Sequence, residues 1–190
     1  MRISACIAKL LRLDAAITRR FVLPESAKFG TSLAKLISLS CDSWYWLVGI
    51  FAVWAFGREP WRDRAVLLGV TILFLAVLVL GIKQLVRRQR PDGEWGQVYR
   101  ALDPHSFPSG HAARALAIAI LGIFYGLGWV AVVLVIWAVL VGWSRVALRL
   151  HFAVDVLVGW LLGAIGALIA ILSSHWLIAI YLRAMNLITK

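Results

Sequence analysis

The sequence predicts an all-α integral membrane protein: a helical bundle of about five transmembrane helices, preceded by N-terminal amphipathic interfacial helices. Three observations carry this expectation. Hydrophobic residues fill 62% of the 190 positions and charged residues only 15%, which excludes an ordinary soluble domain. Several apolar stretches approach the roughly 20 residues that cross a bilayer as a helix. The remaining polar groups gather into short clusters at the ends of those stretches rather than scattering through them. A lone segment in hydrocarbon must satisfy its own backbone hydrogen bonds, so each run is read as a helix.

Along the chain, Ile7, Leu10, Leu11, Ile17 and Phe21 recur at helical spacing with Lys9, Arg12, Arg19 and Arg20 between them. That is the pattern of an amphipathic helix lying in the membrane interface, ended by Pro24. The same charges break any apolar core of a secretory signal, so this segment is expected to be mature protein. Ser26 to Ile37 predicts a second short helix, and residues 1–35 together form the interfacial segment of a single domain covering 1–190. Leu36 to Phe56 is the first span, weakened by Ser38, Ser40 and Asp42. Ala65 to Ile82, Ala112 to Leu127, Trp129 to Trp143 and Ala153 to Leu172 follow. Gly126 and Gly128 allow a tight turn between two of these spans. Trp44, Trp46, Trp61, Trp129, Trp143 and Trp176 near span ends suit an interfacial aromatic belt.

A net charge of +11 on a soluble protein would point to nucleic acid; beside membrane spans it points to anionic headgroups, with the bilayer as partner and no nucleic acid. Cys6 and Cys41 support neither a disulfide framework nor a metal site. Asp92, Glu94 and Asp103 share a loop but lack compact ligand spacing, so neither a metal nor another cofactor is expected. No pattern in the chain specifies an oligomeric state.

Three polar clusters remain: Lys83 to Arg90-Pro91, Pro108-Ser109-Gly110-His111, and Ser144-Arg145 with His151 and Asp155. Ionisable groups at membrane depth are costly enough to be read as functional. Counting crossings brings all three to one membrane face, the exit of one span meeting the start of the next and the ends of the last two. Lys83 and Arg90 are seven apart, so a continuing helix would align them about two turns apart. His151 and Asp155, four apart, predict a carboxylate that orients the imidazole. Ser109-Gly110-His111 opens a helix, where free N–H groups favour an anion.

Phosphoryl transfer needs cations on the non-bridging oxygens, a nucleophile and an acid for the leaving oxygen. Lys83, Arg90 and Arg145 supply the cations, His151 backed by Asp155 the nucleophile, and His111, with no obvious carboxylate of its own, the acid and base. His105 and His175 read as structural. Arg87, Arg88, Arg100, Arg114 and Arg149 read as serving headgroups, topology or structural pairing, with Arg114, one turn from His111, within reach of substrate.

These clusters, Lys83-x6-Arg90-Pro91, Pro108-Ser109-Gly110-His111 and Ser144-Arg145-x5-His151-x3-Asp155, resemble the three-part signature of the type 2 phosphatidic acid phosphatase family, which includes lipid phosphatases and vanadium haloperoxidases. The resemblance implies a helical-bundle core and a metal-independent reaction. It makes His151 the nucleophile, Asp155 its partner and His111 the acid/base, with Lys83, Arg90, Ser109, Gly110 and Arg145 binding phosphate. The expected activity is hydrolysis of a lipid phosphomonoester or diphosphate, of the undecaprenyl diphosphate, phosphatidylglycerophosphate or phosphatidic acid class, through a phosphohistidine. The alternatives are a phosphotransferase using a lipid or glycan acceptor and a non-catalytic lipid-phosphate binder or transporter. Small bacterial members resemble the chain in length, which implies a multi-pass inner-membrane protein with its site on the periplasmic face. The charge count pulls the other way: seven Lys and Arg up to Lys35 lie on the site face, against Arg58, Arg62, Arg64, Arg183 and Lys190 opposite.

Overall fold

A computed structural model of the chain describes residues 2–24, 26–93 and 95–188, with side chains omitted for 2–8, 98, 99, 102 and 188. The side chains of Cys6 and Ile7, and all of Glu94 and Lys190, lie outside the described residues. Eight helices follow in order among the described residues: α1 (Arg2–Phe21), α2 (Lys28–Leu39), α3 (Ser43–Phe56), α4 (Trp61–Val86), α5 (Gln97–Leu102), α6 (Gly110–Phe124), α7 (Trp129–Ala147) and α8 (Ala153–Ile188). There is no strand among them; the one pairing is an isolated antiparallel bridge between Gln89 and His105. The all-α membrane architecture predicted from the sequence is the one observed.

By length and apolarity α4, α7 and α8 can cross a bilayer, and the pair α2 and α3, bent by 43°, makes a fourth, broken span. The span predicted over Ala112 to Leu127 is α6, whose 15 residues fall short of the roughly 20 that cross a bilayer. The span predicted over Leu36 to Phe56 is interrupted at Ser40, Cys41 and Asp42. Its polar groups are held at the break: the Trp137 indole donates to Ser40 Oγ at 2.8 Å and the Trp46 indole to the Ser40 carbonyl at 3.1 Å. Between α6 and α7, Gly126 (φ 67°) and Gly128 (φ 57°) adopt left-handed conformations that a Cβ would strain, giving the short turn.

α1 turns its chemistry opposite to a soluble surface helix. Leu10, Leu11, Leu13, Ile17 and Phe21 are exposed, while Asp14 and Thr18 are buried against the bundle. Thr18 Oγ1 accepts from the Ala153 N–H at 3.0 Å and Asp14 Oδ1 from the Val154 N–H at 3.1 Å. Two otherwise unsatisfied donors in the first turn of α8 are thus capped from another helix. The apolar face remains for lipid, as the interfacial reading expects.

At the centre α6 packs on α4, α7 and α8. Its buried face is mostly small, Ala112, Ala113, Ala115, Ala117, Ala119 and Gly122, with Ile118 and Leu121 the larger members. Gly159 and Gly163 of α8 meet it, four residues apart. A Cβ on Gly159 would lie 2.5 Å from the Ser109 carbonyl oxygen, and one on Gly163 2.2 Å from that of Ala113. Hydrophobic driving force is lost in lipid, so close backbone approach of small residues is what joins these helices. Large side chains instead point outward, with Leu73, Val77 and Leu80 of α4 and Leu157, Leu161 and Leu168 of α8 exposed to the bilayer.

This packing makes a prediction. Gly163→Ala forces α6 and α8 apart and costs about 1–3 kcal/mol, whereas Gly81→Ala, where a Cβ meets nothing within 4 Å, costs none. Thermal unfolding of the two variants in detergent checks the contrast.

Candidate active site

The ends of α4, α6, α7 and α8 that the crossing count assigned to one face are joined there by side-chain bonds. α4 stops at Val86 with Arg87 in the left-handed region (φ 50°), so the helix does not continue to Arg90 as expected. Arg90 comes back to Lys83 by another route. The chain from Arg88 to Arg90 lies beside residues 103–106, bridged at Gln89 and His105 and by the Ser106 N–H donating to the Arg88 carbonyl at 2.8 Å. This sets Asp103 between the two cations. Lys83 Nζ donates to Asp103 Oδ2 and to the His105 carbonyl at 2.9 Å. Arg90 Nη2 donates to the same Asp103 oxygen at 2.9 Å, and Nε to the Asp103 carbonyl at 2.9 Å.

His151 precedes α8 rather than lying on it, and only 1% of it is exposed. Its Nδ1 lies 2.6 Å from the Ser106 carbonyl oxygen. A carbonyl can only accept, so Nδ1 carries the proton and Nε2 the lone pair. Arg90 Nη1 donates to that Nε2 at 3.2 Å and to the Leu150 carbonyl at 2.8 Å. Burial, reinforced by Arg145, Arg90 and Lys83, pushes the imidazole well below its usual pKa, and the Ser106 bond opposes this only in part. The nucleophile candidate is therefore neutral.

The expected direct bond from Asp155 to His151 is replaced. The carboxylate stands 3.7 Å from Nδ1, beyond hydrogen-bond reach. Because His151 lies before the helix, the four-residue spacing does not stack the two side chains. Asp155 instead accepts from the Phe152 N–H at 2.8 Å and from Arg88 Nη1 at 2.7 Å. Arg88 Nη2 reaches Asp14 Oδ2 at 2.6 Å. Arg88, expected to serve headgroups, topology or structural pairing, takes the last of these: it sits between two buried carboxylates and stacks over the Phe152 ring at 3.9 Å.

His111 has the carboxylate the sequence reading did not find. Its Nε2 lies 2.8 Å from Asp42 Oδ1, at the break between α2 and α3. Ser38, one turn earlier, accepts from Arg145 Nη1 at 2.6 Å. Two of the three residues that weakened the predicted first span, Ser38 and Asp42, are therefore partners of the site. Ser109 caps α6, its Oγ accepting from the Ala112 N–H at 3.4 Å and its own N–H donating to the Asp155 carbonyl at 2.9 Å. Gly110 and His111 open α6 beside it.

These groups meet at a cavity of about 310 Å³ lined by Lys83, Arg90, Gly110, His111, Arg145 and His151. Ser109 and Asp155 are fully buried behind it. Along α4 the cavity wall continues through Val79, Ala76, Leu75 and Ile72, an apolar surface about 10 Å long, so the site opens toward lipid tails. Among the described residues no three of His, Cys, Asp and Glu converge as a metal site would require. A second cavity of about 510 Å³ between α3, α4, α6 and α7 is almost wholly apolar and shares no lining residue with the first.

Residues 64–179 match the PAP2 superfamily. The chain belongs to that superfamily. This PAP2 chain is 34% identical over 109 residues to an undecaprenyl-diphosphatase of Sulfolobus acidocaldarius, covering 54% of its own length and 52% of that protein. It is also 34% identical over 114 residues to an undecaprenyl-diphosphatase of Bacillus subtilis, covering 57% and 56% respectively. The aligned stretch spans about half the length of these relatives. Its fold is similar to the crystal structure of a transmembrane PAP2-type phosphatidylglycerolphosphate phosphatase from Bacillus subtilis, with a TM-score of 0.73, 26% identity and coverage of 85% of this chain and 84% of that one. The PAP2 match includes Lys83, Arg90, Ser109, Gly110, His111, Arg145, His151 and Asp155; Asp14, Ser38 and Asp42 lie before it.

Two outcomes follow from the charge pairing. Asp103→Asn removes the anion shared by Lys83 and Arg90, so inorganic phosphate inhibits about tenfold more tightly, read as a lower inhibition constant. Asp14→Ala strips Arg88 of a partner and α8 of a cap, lowering stability by about 3 kcal/mol in detergent unfolding, whereas Asp14→Asn, which keeps an acceptor, recovers about 1 kcal/mol of that.

Proposed function

We propose that the chain is a metal-independent membrane lipid phosphatase that hydrolyses a phosphomonoester or diphosphate headgroup through a phosphohistidine on His151. The observation that carries this reading is the fixed tautomer of His151. Its Nδ1–H is committed to the Ser106 carbonyl, and Nε2 holds a lone pair beside Arg90 in a cavity shared with Lys83, Arg145 and His111. A binder of lipid phosphates needs the cations but not an oriented nucleophile.

In the first step Nε2 attacks phosphorus, forming the P–N bond as the bond from phosphorus to the leaving oxygen breaks. The electron pair of that bond goes to the leaving oxygen, which takes a proton from His111. Lys83, Arg90, Arg145 and the N–H groups at the start of α6 stabilise the charge on the equatorial oxygens. In the second step water attacks phosphorus, His111 accepts its proton, and the P–N electrons return to Nε2. Asp42 steadies the charge that His111 carries before the first step and regains in the second. Asp155 acts at one remove, holding the Phe152 N–H and Arg88 and so the turn that presents His151. The apolar wall of α4 receives tails while the headgroup stays at the cations. The undecaprenyl-diphosphatase and phosphatidylglycerolphosphate phosphatase names of the relatives support the lipid-phosphate class.

The test is phosphate release in detergent, with chelator present, from phosphatidic acid, phosphatidylglycerophosphate and undecaprenyl diphosphate. Release is expected to persist in chelator and to fall on the order of 10³-fold or more in His151→Ala. Loss of release on chelation, or an unchanged rate in the variant, overturns the mechanism. Adding an acceptor alcohol and analysing products separates hydrolysis from transfer.

The site is proposed to face outward, on the periplasmic side of the inner membrane. In a background lacking Cys6 and Cys41, an impermeant thiol reagent added outside is expected to label Asp92→Cys and not Glu59→Cys. The reverse pattern places the site in the cytoplasm.

A further inference from the structure

The geometry points to Arg114 as the residue that holds the second, leaving phosphate of a lipid diphosphate, which makes diphosphates the preferred substrates. This rests on the phosphatase reading above and deepens it. Arg114 lines the same cavity as Lys83, Arg90, His111 and His151. It follows His111 by three residues on α6, so it faces the same side, about 4.5 Å deeper into the membrane. That is the direction in which the α4 wall leads the tails, and so the direction in which the leaving group lies.

Its charge lacks the carboxylate partner that Lys83, Arg88, Arg90 and His111 each have. Lys83, Arg88 and Arg90 each pair with an aspartate, and His111 with Asp42. Among the described residues Arg114 forms no ion pair; its Nη1 donates to the neutral hydroxyl of Ser43, which also lines the cavity. Its buried Nε has no hydrogen-bond partner among the described residues. A guanidinium at membrane depth without a counter-anion is costly, and an anion that arrives with the substrate removes that cost.

The reaction then assigns the anion. His151 Nε2 attacks the terminal phosphorus and the bridging P–O bond breaks. The electron pair goes to the bridging oxygen, which His111 protonates, so the departing species is a lipid monophosphate. Its charge falls one bridging oxygen beyond His111, where Arg114 and the Ser43 hydroxyl stand. In a phosphomonoester such as phosphatidic acid the leaving group is a neutral alcohol, and Arg114 has nothing to hold.

The readout is the ratio of kcat/KM for undecaprenyl diphosphate to that for phosphatidic acid. In Arg114→Gln this ratio is expected to fall at least about 30-fold, with Arg114→Lys restoring most of it. An equal loss on both substrates, with the variant folded, overturns the assignment. A variant that damages phosphatidylglycerophosphate as much as the diphosphate also overturns it, because there the second phosphate lies a glycerol away. The unmodified protein gives an independent measurement: methylenediphosphonate is expected to inhibit at least about tenfold more tightly than methylphosphonate, and equal inhibition counts against a second phosphate site. Failure of the phosphatase reading itself looks different, since wild type then releases no phosphate from any of the three lipids.

Discussion

The guanidinium of Arg88, held between Asp14 and Asp155, is the joint on which the rest of the site hangs. Asp155 is fully buried, and a carboxylate in that position is tolerable only if a cation and hydrogen-bond donors meet it. Arg88 is the cation, the Phe152 N–H is a donor, and the second nitrogen of Arg88 must then be satisfied in turn. Asp14 does this from α1 while capping α8 with its other oxygen. Three segments that are distant in sequence are thereby locked by one demand for neutrality. The turn bearing His151 is the product of that lock.

The same demand explains how cations that repel one another can stand in one cavity. Lys83 and Arg90 converge because Asp103 lies between them, and the pairing across Gln89 and His105 exists to carry Asp103 there. Arg145 is anchored through Ser38 and His111 through Asp42. Each functional group thus has a support drawn from a different segment, and the supports are what fix the spacing of the cations.

This division accounts for what the sequence disclosed. Lys83, Arg90, Ser109, His111, Arg145 and His151 were legible because their chemistry is rare in lipid and their order along the chain gives the crossing count. The supports were not. No pattern in the sequence marks Asp14, and Asp42 read as a flaw in a span. The Ser106 carbonyl carries no residue signal at all, since any residue would supply it. One clue was available: a polar residue that spoils an otherwise good span must be held by something, and the charged groups on that face were the only candidates. The helix boundaries misled for a related reason. Periodicity assumed that α4 ran on to Arg90 and that His151 stood on α8, and both expectations failed where the backbone turns to meet a buried charge.

The shortness of α6 sets the vertical arrangement of the reaction. Fifteen residues span about 22 Å, against roughly 30 Å of hydrocarbon, so its two ends cannot both reach the surrounding headgroups. Either the bilayer thins at one end of α6 or that end stops below the plane of neighbouring phosphates. Where that end is Ser109, a lipid headgroup meets the cluster of cations by sliding sideways and sinking, its chains never leaving the oil, and bilayer thickness bears directly on how it arrives.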